Sequence, residues 1–105
     1  MRRYWTMGLM TLGLFAGTAA AGEMTGWIVD AWCGASNANS SQASRDCAKD
    51  CIKKGAAPAF VSEKEQKVYR IANGDAAKTH LDHKVKVSGR VEGETLTIAS
   101  IVAAK

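Results

Sequence analysis

The sequence predicts a small, mainly β domain of the α+β kind. Five short strands close into a barrel, a cysteine-bearing helix is inserted after the first strand, and a short helix lies between the third and the fourth. Three observations lead there. Five short segments carry strand-type composition or two-residue alternation, and Gly-, Asn- and Ser-containing turns separate them. One segment, around Cys47 and Cys51, has apolar residues at helical spacing instead. Strands this short expose unpaired edges unless the sheet closes on itself.

The chain opens with an export signature. Arg2 and Arg3 form a positive start, Met7 to Ala16 is apolar apart from Gly and Thr, and Ala19-Ala20-Ala21 has the small-residue pattern of a cleavage site. A cut after Ala21 is expected, which makes residues 1–21 a signal peptide and 22–105 a single domain. The apolar run is too short for a stable membrane anchor, and no second run of membrane length follows. No cysteine near the cut offers a lipid attachment point. The expected location is the periplasm or the outside of the cell. The full chain has 14 Lys and Arg against 10 Asp and Glu; without Arg2 and Arg3 the balance is 12 against 10, close to +2. The basic residues are scattered, which does not point to nucleic acid.

The elements follow in order. Thr25 to Cys33 reads as the first strand, with Trp27, Val29, Ala31 and Cys33 on one face and Ile28, Asp30 and Trp32 on the other. Gly34 to Gln42 is small and polar and reads as a loop. A helix then starts at Ser44, has Asp46 in its first turn and Lys53-Lys54 in its last, and ends at Gly55. Cys47, Ala48, Cys51 and Ile52 form its apolar stripe. Ala59 to Ser62 and Lys67 to Ala72 are two strands joined by a polar connection. Asn73 to Leu81 reads as a second short helix. Lys84 to Val91 alternates, with Val85, Val87 and Val91 on one face; Glu92-Gly93-Glu94 is a tight turn, and Thr95 to Val102 is the last strand. Apart from the inserted helix, β-β-β-α-β-β is the element order of an OB-fold.

The run Asp30-Ala31-Trp32-Cys33-Gly34 followed by Cys47-x-x-x-Cys51, with Val85-Lys86-Val87-Ser88-Gly89-Arg90-Val91 and Leu96-Thr97-Ile98 near the end, resembles a family of small secreted bacterial OB-fold-like proteins of uncharacterised function. The resemblance covers essentially all of residues 22–105. It implies an OB-like fold and export, and no reaction.

The three cysteines admit two readings. In an oxidising compartment a single disulfide, Cys33 to Cys47 or Cys33 to Cys51, pins the helix to the first strand across 14 or 18 positions. Closing such a loop contributes on the order of 3 kcal/mol, a large share of the ~5 kcal/mol available to a domain this small. One thiol is then left over, free or joined to a second chain. In the other reading the three thiols hold a soft metal, Cu or Zn, with His80 or His83 as a further ligand, or they handle thiol redox chemistry. The Cys-x-x-x-Cys spacing is not the Cys-x-x-Cys of zinc knuckles.

Five further residues are candidates to face a ligand. Asp30 sits in an apolar strand and needs partners. Trp32 lies beside it, and Phe60, Tyr69 and Arg70 fall on strands two and three, the face with which OB-folds stack bases or sugars; without a basic track beyond Arg70, core packing is the preferred reading of the aromatics. No Ser-His-Asp set, carboxylate pair or phosphate loop can be read. The expectation is therefore a non-enzymatic exported binding module, stapled by one disulfide and without a cofactor, whose ligand or envelope-protein partner the residues do not specify. Metal or thiol handling is the alternative.

Overall fold

The structure is a computed structural model and describes residues 20–104. The expected signal peptide lies outside the described residues, apart from Ala20 and Ala21. The fold is mainly β: β1 (Ala20–Asp30), β2 (Pro58–Ser62), β3 (Val68–Ile71), β4 (Lys84–Glu92) and β5 (Thr95–Ala103) form one sheet. Among the described residues one α-helix, α1 (Gln42–Lys53), and two 3₁₀ segments, Gly34–Asn37 and Gly74–His80, accompany it. Among the described residues no helix is long and apolar enough to cross a membrane.

Each strand pairs with two others. β1 is antiparallel to β2, with Ile28 opposite Phe60, and β2 to β3, with Phe60 opposite Tyr69. β3 runs parallel to β5 through Arg70–Thr95 and Ile71–Leu96. β5 is antiparallel to β4, and β4 returns to β1. The length of β1 makes this return possible. Its first part lies along β4 and its last part along β2, and Gly26 and Trp27 belong to both ladders. A cut after Ala21 would leave Gly22, opposite Gly89, as the first rung.

The core is held between the strands. Ile28, Phe60, Val85, Val87 and Leu96 are fully buried, with Ala48 of α1 and Ala77 of the second 3₁₀ segment packed among them. A second cluster on the other face of β1 and β2 joins Val29, Ala59 and Val61 to Ala38, with Trp27 against it. From Gly26 to Asp30 both faces of β1 are covered, which suits the apolar residues on each.

Several boundaries differ from the sequence reading. β1 ends at Asp30, not Cys33, because the Asp30 side chain accepts the Cys33 backbone N–H (2.9 Å) and draws the chain into a turn. Ser41 rather than Ser44 caps α1; the Ser41 hydroxyl accepts the Ser44 N–H at 3.1 Å. The second helix is 3₁₀, Gly74–His80. Asn73, just before it, makes a two-point bond with the Ile98 backbone, donating to its C=O at 2.7 Å and accepting its N–H at 2.9 Å. The β3–β5 ladder has only two rungs, and this side chain prolongs it.

Gly26 is needed where the two ladders of β1 meet. A Cβ there would run into the Val61 carbonyl and the Phe60 ring. Gly26→Ala is expected to destabilise the protein by about 1–3 kcal/mol through overpacking. Thermal denaturation should then show the midpoint falling by roughly 5–20 °C; an unchanged midpoint would mean that the strands do not approach this closely.

Candidate metal centre

The three cysteines converge at the open end of β1. Cys33 reaches the site because of Asp30, which is completely buried at the last position of β1. One carboxylate oxygen accepts the Cys33 N–H, and the other accepts the side-chain amide of Asn37 at 2.7 Å. These bonds hold the first 3₁₀ segment down. Its N-cap is Cys33, and its first residue, Gly34, adopts φ +55. Cys47 and Cys51 lie one turn apart on α1 and therefore share a face. The helix is anchored by its Ser41 cap and by Arg45, which donates to the Ser40 carbonyl at 2.9 Å.

All three sulfurs fall within 4.8 Å of one another. The shortest separation, Cys33 to Cys47, is 3.9 Å. A disulfide needs about 2.05 Å, so neither expected pairing, Cys33–Cys47 or Cys33–Cys51, is formed, and all three thiols are free. Cys47 is exposed; Cys33 and Cys51 are half-buried.

The surroundings of Cys33 and Cys51 favour their protonated forms. The hydrogen bond with Cys47 raises the pKa of the Cys33 thiol, with the Asp30 charge and burial adding to it. Burial, then the Asp30 charge and the neighbouring Cys47, push the Cys51 thiol up to about 12. Near neutral pH Cys33 and Cys51 are thus thiols rather than thiolates and weak nucleophiles. A bound cation inverts this balance, since it offsets the charge that crowding makes costly.

The other expected residues scatter. His80 is half-buried at the end of the second 3₁₀ segment and His83 is exposed beyond it; among the described residues neither joins the cysteines. Phe60 and Tyr69 do not form a stacking surface. Both are buried, with ring centroids 6.3 Å apart, because β2 and β3 turn this face inward. Asp30 is too buried to face a ligand directly and instead supports the site from below. Trp32 is 60% exposed in the turn next to Cys33, and Arg70 is exposed on β3.

Three contributors escape sequence reasoning. Asn37 and Arg45 look like ordinary loop and helix-surface residues. Asp82 follows the second 3₁₀ segment with φ +54 and donates its N–H to the Ile28 carbonyl. It is completely buried, and neither carboxylate oxygen has a hydrogen-bond partner among the described residues. Burial pushes its pKa up to about 6, with the nearby Asp30 charge adding and the Arg45 guanidinium and Ser40 amide opposing. Searches of family models, of curated proteins and of solved structures return no match to this chain.

Two expectations follow. Asp30→Asn can accept only one of the two bonds and faces a donor with a donor at the other, so it should lose about 1–3 kcal/mol in chemical denaturation. In the folded fraction, alkylation of Cys33 and Cys51 should shift to lower pH, because the charge that disfavours their thiolates is gone. For Asp82 the folded state holds a proton that the unfolded chain releases above its usual value of 3.8, so stability falls as pH rises from there to about 6 and the loss persists above. Asp82→Asn, which also suits a positive φ, should stabilise the protein at about pH 7.5 by on the order of 2 kcal/mol and scarcely at about pH 4. Equal effects at both pH values would mean that the carboxyl group does not titrate in this window.

Proposed function

We propose that this protein is an exported OB-like barrel whose β1–β2 connection carries a site for a soft metal cation, Cu(I) or Zn(II), held by Cys33, Cys47 and Cys51. The observation that carries the proposal is the convergence of three sulfurs from two separate segments within 4.8 Å. Thiolate sulfur selects such ions over magnesium or calcium. The OB-like assignment is supported by the pairing order β1-β2-β3-β5-β4 returning to β1, by the parallel β3–β5 pair, and by a helical segment between β3 and β4. The inserted α1 then lies in the first long loop of the barrel, beside the surface with which OB-folds bind ligands.

The site works by exchanging protons for the cation. Asp30 fixes the Cys33 backbone, α1 fixes the Cys47–Cys51 spacing, and the exposed Cys47 provides the entrance. Because bound thiols must lose their protons, apparent affinity should rise with pH, by up to roughly a thousandfold per pH unit if all three deprotonate.

A second reading keeps the staple. Cys33 and Cys47 are the nearest pair, so an oxidising thiol–disulfide partner would take two electrons and two protons from them, join their sulfurs and leave Cys51 free.

The test uses protein expressed from the full-length sequence and purified without air. Competition against a coloured Cu(I) chelator, and separately against a Zn(II) chelator, is expected to show one ion per chain, tighter binding at higher pH, and binding weakened at least roughly tenfold in each Cys→Ser variant. Binding that survives all three substitutions would refute the site. Protein purified in air that is two hydrogens light, with a single alkylatable cysteine after unfolding, would favour the staple.

A further inference from the structure

We infer that the site is three-coordinate, and that its ion is Cu(I) rather than Zn(II). The inference rests on the metal-binding reading above and narrows it. The sulfurs stand 3.9–4.4 Å apart. A triangle with such sides has its centre about 2.3–2.5 Å from every corner (side divided by √3), which is the length of a metal–thiolate bond, about 2.3 Å for zinc. An ion can therefore lie in the plane of the sulfurs, bonded to all three, with little movement of the chain. With bonds of that length a planar ion needs sulfurs about 4.0 Å apart and a tetrahedral one about 3.8 Å, so the number of donors decides between them.

Zinc in a structural site takes four protein ligands, but the only cluster of potential metal-binding side chains among the described residues is the three cysteines. The neighbouring Asp30 lies outside that cluster. Both of its oxygens are engaged, one by the Cys33 N–H and one by the Asn37 amide, and the residue is fully buried. His80 and His83 lie outside the cluster. Zn(II) bound here would have to recruit water or a donor from a second molecule. Cu(I) is a soft ion suited to thiolate ligands, and three sulfurs complete a planar shell around it.

The experiment is X-ray absorption on full-length protein loaded under anaerobic conditions with one equivalent of Cu(I) or of Zn(II), with Cys47→Ser alongside. Cys47 is exposed, so this variant should retain the fold. The expected Cu(I) spectrum has three sulfur neighbours at about 2.3 Å, no nitrogen or oxygen and no second copper. Zn(II) should show a fourth, lighter neighbour and be displaced by one equivalent of Cu(I). In Cys47→Ser the copper should keep two sulfurs and be held less tightly by at least the roughly tenfold that even a supporting residue costs. Copper with two sulfurs in the unmodified chain, copper with a fourth ligand, or a copper–copper distance would overturn the three-coordinate inference while leaving metal binding intact. Failure of both ions to bind, or equal binding by a variant with all three cysteines changed to serine, would instead overturn the metal-binding reading itself.

Discussion

A single buried carboxylate organises the cysteine-bearing end of this molecule. Asp30 occupies the last position of β1, fully shielded from water, where an unpartnered charge is costly. Its partners are a backbone N–H and a side-chain amide, both from the segment that follows. Satisfying the carboxylate thus requires the chain to leave the strand, turn, and lay the first 3₁₀ segment across the end of the sheet. Cys33 is carried by that turn, and its thiol comes to face the helix. The same interaction covers the outer face of β1 and β2, because it brings Ala38 down onto Val29, Ala59 and Val61.

The electrostatics of the site follow from this arrangement. A negative group lies beneath thiols that already crowd one another, and the protonated forms of Cys33 and Cys51 are favoured. Such a cluster is a poor nucleophile by itself. Asp82 is a second buried acid within range of Asp30 and Arg45, whose carboxylate oxygens have no hydrogen-bond partner among the described residues. The two acids place negative charge inside the domain close to where α1 docks, and Arg45 is the cation from α1 that offsets part of it.

Closure of the strand pairings gives this end its rigidity. Long β1 serves two ladders, and Gly26 permits the crossover by leaving room for the Val61 carbonyl and the Phe60 ring. Where the parallel β3–β5 contact runs out, Asn73 continues it with side-chain hydrogen bonds to Ile98. The connection between β1 and β2 has little share in the core, since only Ala48 of α1 is deeply buried in it.

The sequence by itself determined the strand set, the inserted helix and the pairing of Cys47 with Cys51 on one face, because two-residue and 3.6-residue periodicities are local properties of the chain. It also marked Asp30 as an acid in need of partners. Tertiary structure decided the rest. Phe60 and Tyr69 have the same alternation whether their face is inward or outward, and only the direction in which the sheet curves buried them. The end of β1 depended on Asp30 capturing the Cys33 N–H, a side-chain contact that strand propensity does not register. The distance between Cys33 and the helix was likewise fixed by packing rather than by spacing: intervals of 14 and 18 residues suit a disulfide or a metal equally well, and three free sulfurs in one triangle emerge only once Asp30, Asn37 and the capped helix have taken their places.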